Sequence, residues 1–148
     1  MPQASQPSER IAVVGTIDPQ TVINTEVFTD VVDMKNFHEC MGVALLGNMA
    51  SETIDFAVYT CDSDGNNATE LKDATQLAAH ASNNDNKQIV INVKSQDLAA
   101  ANKRYIKFGL VTGSNTGGPA SVVALGVSPR FAPASDSDLN TVVEIVSE

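Results

Sequence analysis

The stretch Ile54-Asp55-Phe56-Ala57-Val58-Tyr59-Thr60-Cys61 puts Ile54, Phe56, Val58 and Thr60 on one side of an extended chain and Asp55, Ala57, Tyr59 and Cys61 on the other. This two-residue period is that of a strand with one packed face and one partly wet face. Residues 89–93 repeat the pattern with Ile89, Ile91 and Val93, and residues 105–111 repeat it with Ile106, Phe108 and Leu110. Further runs rich in β-branched residues at 10–14, 27–34, 38–46 and 121–127 bring the set to about seven, the number of a two-sheet sandwich. The expected fold is all-β: an antiparallel β-sandwich, jelly-roll-like, with a short helix and extended N- and C-terminal arms.

The segments between these runs agree. Asp62-Ser63-Asp64-Gly65-Asn66-Asn67 and residues 82–86 are polar turns, and the glycine-rich stretch 112–119 reads as a long, mobile end loop. Leu71, Ala74, Leu77, Ala78 and Ala81 fit a helix face, but the extended reading is preferred. Ser95 followed by Gln96-Asp97-Leu98-Ala99-Ala100-Ala101-Asn102 predicts a short helix with Ser95 as its cap. The prolines at 2 and 7 set off an N-terminal arm, residues 1–10, from a sandwich domain spanning 11–128. Pro129 and Pro133 open a C-terminal arm, 129–148, whose acidic sequence still carries Leu139, Val142, Val143, Ile145 and Val146. That apolar content predicts packing on its own domain or on a neighbouring subunit.

A chain of 148 residues is one domain, large enough to bury roughly 68% of its extended surface without metal or disulfide support. Eighteen acidic against nine basic residues give a formal charge of −9, which disfavours nucleic acid and anionic membrane surfaces as partners. No apolar run approaches the ~20 residues of a spanning helix, and the N-terminal residues show no secretory pattern. Cys40 and Cys61 match no zinc or redox spacing and read as reduced thiols in a cytoplasm.

No set of residues supports catalysis. His38 and His80 are the only histidines, no nucleophile motif accompanies them, and His38 and Glu39 are expected on opposite faces of a strand. The Asp62–Asn66 loop departs from a calcium loop, because Gly65 stands fourth and Glu70 ninth. No glycine pattern cradles phosphate. The chain is therefore expected to be no enzyme, with no cofactor and no metal. With no tryptophan and only Tyr59 and Tyr105, a sugar-stacking platform is also weakly furnished.

Four segments carry a family likeness. They are Asp33-Met34-Lys35-Asn36-Phe37, the run Asp85 to Val93, the run Ala101 to Tyr105 with its following strand, and Pro129-Arg130-Phe131-Ala132-Pro133 with the tail beyond. In this order the chain resembles the small virion proteins encoded beside the major capsid protein in tailed bacteriophages. The resemblance implies a capsid decoration, or cement, protein that sits on the outer surface of the virion after assembly in the host cytoplasm. Its implied partners are the major capsid protein and itself, as a homotrimer. Ends that gain order on a receiving surface point to Pro2, Gln3, Pro7 and Arg10 for coat binding and to Leu139 and Val143 for subunit binding. Arg130 and Phe131 pair the residue types that dominate binding hot spots. The alternative reading is a sandwich module that binds a ligand or glycan on a virion or cell surface.

Overall fold

The computed structural model describes residues 5–49, 52–74, 85–113 and 116–147. Nine strands appear among them: β1 (Ile11–Val22), β2 (Val27–Phe28), β3 (Val32–Asp33), β4 (Phe37–Leu46), β5 (Ile54–Cys61), β6 (Thr69–Asp73), β7 (Gln88–Lys94), β8 (Tyr105–Thr112) and β9 (Gly118–Pro129). All pairings are antiparallel, and they form one sheet in the order β1-β9-β4-β7 and a second in the order β2-β8-β5-β6, with β3 also on β8. Apart from the β2/β3 pair and the β5–β6 hairpin, every connection crosses from one sheet to the other. With β2 and β3 taken as one interrupted strand, this is the winding of a jelly roll.

The interruption has a local cause. The run 27–34, expected as one strand, breaks at Thr29, whose hydroxyl accepts the Phe108 N–H at 3.0 Å and donates to the Asp30 carbonyl at 2.9 Å. The side chain of Asp30 then accepts the Thr16 N–H of β1 at 3.1 Å. In β1 the register shifts between Val13 and Gly15, so that Val14 and Gly15 are both buried, and again between Ile17 and Gln20, around Pro19. Such bulges bend a strand and add twist. Proline, lacking an N–H, is placed where the ladder is already broken.

The core lies between the sheets. Ile54, Phe56, Val58 and Thr60 of β5 are buried as the alternation predicts, and so are Ala57 and Cys61 from the other side. Phe56 and Phe108 stack with ring centroids 5.8 Å apart. Phe37 and Phe108 pack against Gly126 and Gly42 respectively, where any Cβ would fall inside the ring. Two glycines thus make room for two of the largest core side chains, and each such ring contributes about 1.5–3 kcal/mol by leaving water.

The connecting segments differ from expectation in three places. Residues 95–98 form a single 3₁₀ turn, held from inside by Asp97 Oδ2, which accepts the Lys94 N–H at 2.8 Å; Ser95 is its first residue, not its cap. The expected long loop 112–119 is shorter, because Thr112 ends β8 and Gly118 opens β9. Thr116 N–H and Gly117 N–H donate to the buried Glu52 carboxylate at 2.6 and 3.2 Å, which ties the loop down. The extended reading of the ambiguous stretch holds from Thr69 to Asp73, while residues 75–84, including His80 and most of the turn at 82–86, lie outside the described residues.

The N-terminal end is less extended than expected, and part of the C-terminal segment packs on its own domain, one of the two arrangements expected of it. Pro7–Arg10 is one turn of helix, α1, whose preceding Gln6 N–H is held by Glu9 Oε2 at 2.6 Å. Pro7 suits the first helical position, where no N–H is required. Residues 130–139 belong to the domain: Arg130 N–H donates to Asn36 O at 2.9 Å, and Ala134, in the 3₁₀ turn Ala134–Ser137, is fully buried in the core. Past Leu139 the described residues are exposed except Val142, which is half-buried and whose N–H donates to Leu139 O at 3.0 Å.

Candidate interaction surface

The register of the first sheet sorts its residues into rows. Ala12, Gly126, Cys40 and Val93 face inward together, as do Gly15, Ala124, Gly42 and Ile91. The rows between them face outward: Ile11, Val127, Glu39 and Lys94; then Val13, Leu125, Met41 and Asn92; then Thr16, Val123, Val43 and Val90; then Ser121, Leu45 and Gln88. This outer face is therefore largely aliphatic, and the one acid and one base in its four rows, Glu39 and Lys94, are cross-strand neighbours. At one end Ile11, Met41 and Val127, with Glu39 and Lys94, line a pocket of about 370 Å³.

The outer face of the second sheet is built differently. Arg104 forks onto Asp33 with contacts of 2.7 and 2.6 Å and lies over the Tyr105 ring at 4.9 Å. Lys107 sits 3.9 Å above the Phe28 ring, and Phe28 meets Tyr59 edge-on at 5.7 Å. The Tyr59 hydroxyl donates to Glu26 Oε1 at 2.6 Å; burial first, then this carboxylate, raise its pKa. Asp55, Glu70, Lys72 and Asp73 complete a charged surface. One broad side of the sandwich is thus polar and internally satisfied, and the other is apolar and bare.

The largest apolar patch of a typical monomer covers about 300–600 Å² and is often functional. Four strands ~4.8 Å apart over seven paired positions give roughly 450 Å² in projection. Nine of its fifteen residues are apolar, so at ~25 cal/mol per Å² of apolar area its burial is worth about 7 kcal/mol gross, against about 4–15 kcal/mol for the lost freedom of association. One such contact is near balance by itself.

Of the residues singled out from the sequence, those that the structure describes are not among the outward residues of these four rows. Pro2 and Gln3 lie outside the described residues. Pro7 and Arg10 are exposed on α1. Arg130 is exposed, with its guanidinium donating to Ser95 Oγ at 3.1 Å, and Phe131 is 69% exposed, so its ring does not plug its own sandwich. Leu139 N–H donates to Val13 O at 2.9 Å, while Val143 is 98% exposed. The face itself has a sequence signal: in β4 and β9 the alternation fails, and runs such as Val43-Ala44-Leu45-Leu46 and Val122-Val123-Ala124-Leu125 are apolar on both sides.

The other candidates resolve into structural roles. Asp62 accepts from Asn67 at 2.6 Å and Lys103 at 2.5 Å, and Asp64 accepts from Asn66 N–H at 3.0 Å, so these carboxylates serve the loop and its neighbour. Gly65 and Asn67 take positive φ there, as a tight polar turn requires. Cys40 and Cys61 are free thiols in opposite sheets; burial pushes Cys40 up to about 12 and also raises Cys61, which leaves both protonated near neutrality. His38 and Glu39 are both exposed, because the alternation of β4 slips at this point, opposite the positive-φ Ser128 of β9.

No protein-family model and no curated protein matches the chain. Among solved structures, the chain aligns over its whole length with the PBSX exported protein XepA, at 13% identity and a TM-score of 0.56, and spans 46% of that protein. A pilus protein of Bacillus endospore appendages aligns over 86% of this chain and 99% of its own, at 8% identity and a TM-score of 0.45. The infectious bursal disease virus VP2 subviral particle protein aligns over 84% of this chain and 34% of its own, at 11% identity and a TM-score of 0.45. At these identities the XepA match establishes a shared β-sandwich fold.

Proposed function

We propose that this chain is a structural virion protein that binds the outer surface of a tailed-phage capsid as a homo-oligomer and cements the shell by bridging capsomers. The observation that carries the reading is the bare aliphatic outer face of the β1-β9-β4-β7 sheet on an otherwise strongly acidic molecule. A surface of this kind serves protein contact, and its near-balanced energy suits a part that acts in many copies, since linked modest contacts multiply. Arg130, Phe131, Pro7 and Arg10 lie outside that face, and they, with Pro2 and Gln3, are assigned to the coat protein. The likeness of the four sequence segments to phage virion proteins supports the same reading.

Nothing favours the glycan-binding alternative. Tyr59 is half-buried with its hydroxyl engaged by Glu26, and Tyr105 carries the Arg104 guanidinium over its ring, so neither presents an open stacking surface.

The test is co-sedimentation with purified tailed-phage shells stripped of decoration protein. The expected result is saturable binding that raises the temperature at which the shells open, with binding weakened by removal of residues 1–10 or by Phe131→Ala. A protein that remains in the supernatant at every concentration contradicts the proposal.

A further inference from the structure

The segment beyond Leu139 and the bare face are two uncovered apolar surfaces on one chain. Val143 and Val146 are 98% and 86% exposed, and Ile145 is also exposed. Leu139 is fixed by its bond to Val13, so the segment leaves the domain at the free edge of β1, beside the margin of the bare face. We propose that residues 140–147 of one copy lie as a strap across the outer face of the β1-β9-β4-β7 sheet of a second copy. This inference rests on the adhesive reading of that face and names its occupant.

Three observations select a second copy. The first is charge: a molecule of net charge −9 repels itself, but on this face Glu39 and Lys94 offset one another, whereas the opposite side would set Asp33, Asp55 and Glu70 against their equivalents. The second is area: the roughly 450 Å² of the face falls short of the ~800 Å² per partner of a stable interface, and a strap of eight residues given and one received supplies the difference. The third is pattern: in an extended strap Val143 and Ile145 share one side, and Val142, Glu144 and Val146 the other, which lets an apolar side meet Val43, Val123 and Leu125 while the carboxylate stays in water. A contact in which each copy gives one strap and accepts one is met by a reciprocal two-fold exchange or by a closed head-to-tail ring.

The test combines mass and cross-linking. Sedimentation equilibrium of the full chain should show an oligomer, and a chain ending at Leu139 should be a monomer with an unchanged far-UV spectrum. If the shortened chain fails to fold, the exposed double change Val143→Asp and Ile145→Asp replaces it. Chains carrying Val43→Cys and Val143→Cys separately, with different tags, should form a disulfide between tags on oxidation. An oligomer that survives loss of the strap, a full chain that is monomeric, or a disulfide formed only within one chain carrying both changes overturns the proposal. Shell co-sedimentation of the same proteins keeps the two readings apart: strap-linked oligomers that never bind shells overturn the function and leave the strap standing, whereas shell binding by chains whose oligomers need no strap does the reverse.

Discussion

The backbone N–H of Val13 donates to Asp138 Oδ1 at 2.7 Å, across 125 positions of sequence. With the return bond from Leu139 N–H to Val13 O, this pairs the free edge of β1 with the end of the chain. Unpaired sheet edges are templates for unwanted association, and here the edge is covered at that point by the segment that carries the strap. Replacing Asp138 by alanine leaves the Val13 N–H without its charged acceptor and should lower stability by about 1–2 kcal/mol, since hydrogen bonds to charged groups exceed neutral ones. Urea midpoints measure the loss. Asp138→Asn, which keeps the oxygen, should recover most of it.

Acid should destabilise the fold over a definable range. The Arg104 fork holds Asp33 below the usual carboxylate value; Lys72 does so for Asp97; and Asn67, then Lys103, do so for Asp62. A carboxyl group whose pKa is lowered by folding binds fewer protons folded than unfolded. Its contribution is therefore complete above the unfolded value of about 3.8 and disappears as pH falls through the lowered folded value. Urea midpoints between pH 7 and pH 2 should be level down to about pH 5 and fall steeply below 4. Arg104→Gln should make that fall shallower, and an unchanged slope would remove Asp33 from the account.

Gly42 faces the Phe108 ring across the core, in the interior row with Gly15, Ala124 and Ile91. A methyl group at Gly42 has to displace a ring that is fully buried and stacked on Phe56. Gly42→Ala should cost about 1–3 kcal/mol by overpacking, although alanine is the better β-residue on backbone entropy alone. A calorimetric midpoint equal to that of the unchanged protein would mean the sheets separate more freely than their packing indicates.

The two-sheet architecture was legible because the large apolar side chains of β5, β7 and β8 recur with a period of two. Other features were hidden where side chains replace backbone pairing. Thr29 takes the N–H of Phe108 and splits the expected 27–34 strand, and no periodicity foretells a hydroxyl completing a ladder. The helical turn at Pro7–Arg10 depends on Glu9 reaching back to Gln6, a capping signal short enough to pass for part of an arm. The anchored part of the C-terminal segment depends on Ala134 entering the core from a proline-rich stretch with no apolar pattern. The candidate face was readable in principle, because a strand apolar on both sides must have something against each; naming which side is core takes the cross-strand register.

The asymmetry between the two sides yields a paired test. Val90 lies on the bare face, in edge strand β7, and is 52% exposed; Glu70 lies on β6 at the charged side and is also exposed. Lysine at either position touches no core contact and should change stability by no more than about 0.5 kcal/mol. Their effects on assembly should diverge. Val90→Lys places an unpaired charge where apolar surface must be desolvated, and should shift sedimentation toward monomer and reduce binding to shells. Glu70→Lys lowers the net negative charge by more, so if general repulsion governed association it would promote assembly more strongly than any change at Val90 could oppose it. Assembly promoted by both variants, and by Glu70→Lys the more, would place the contact surface elsewhere, because charge alone would then account for both.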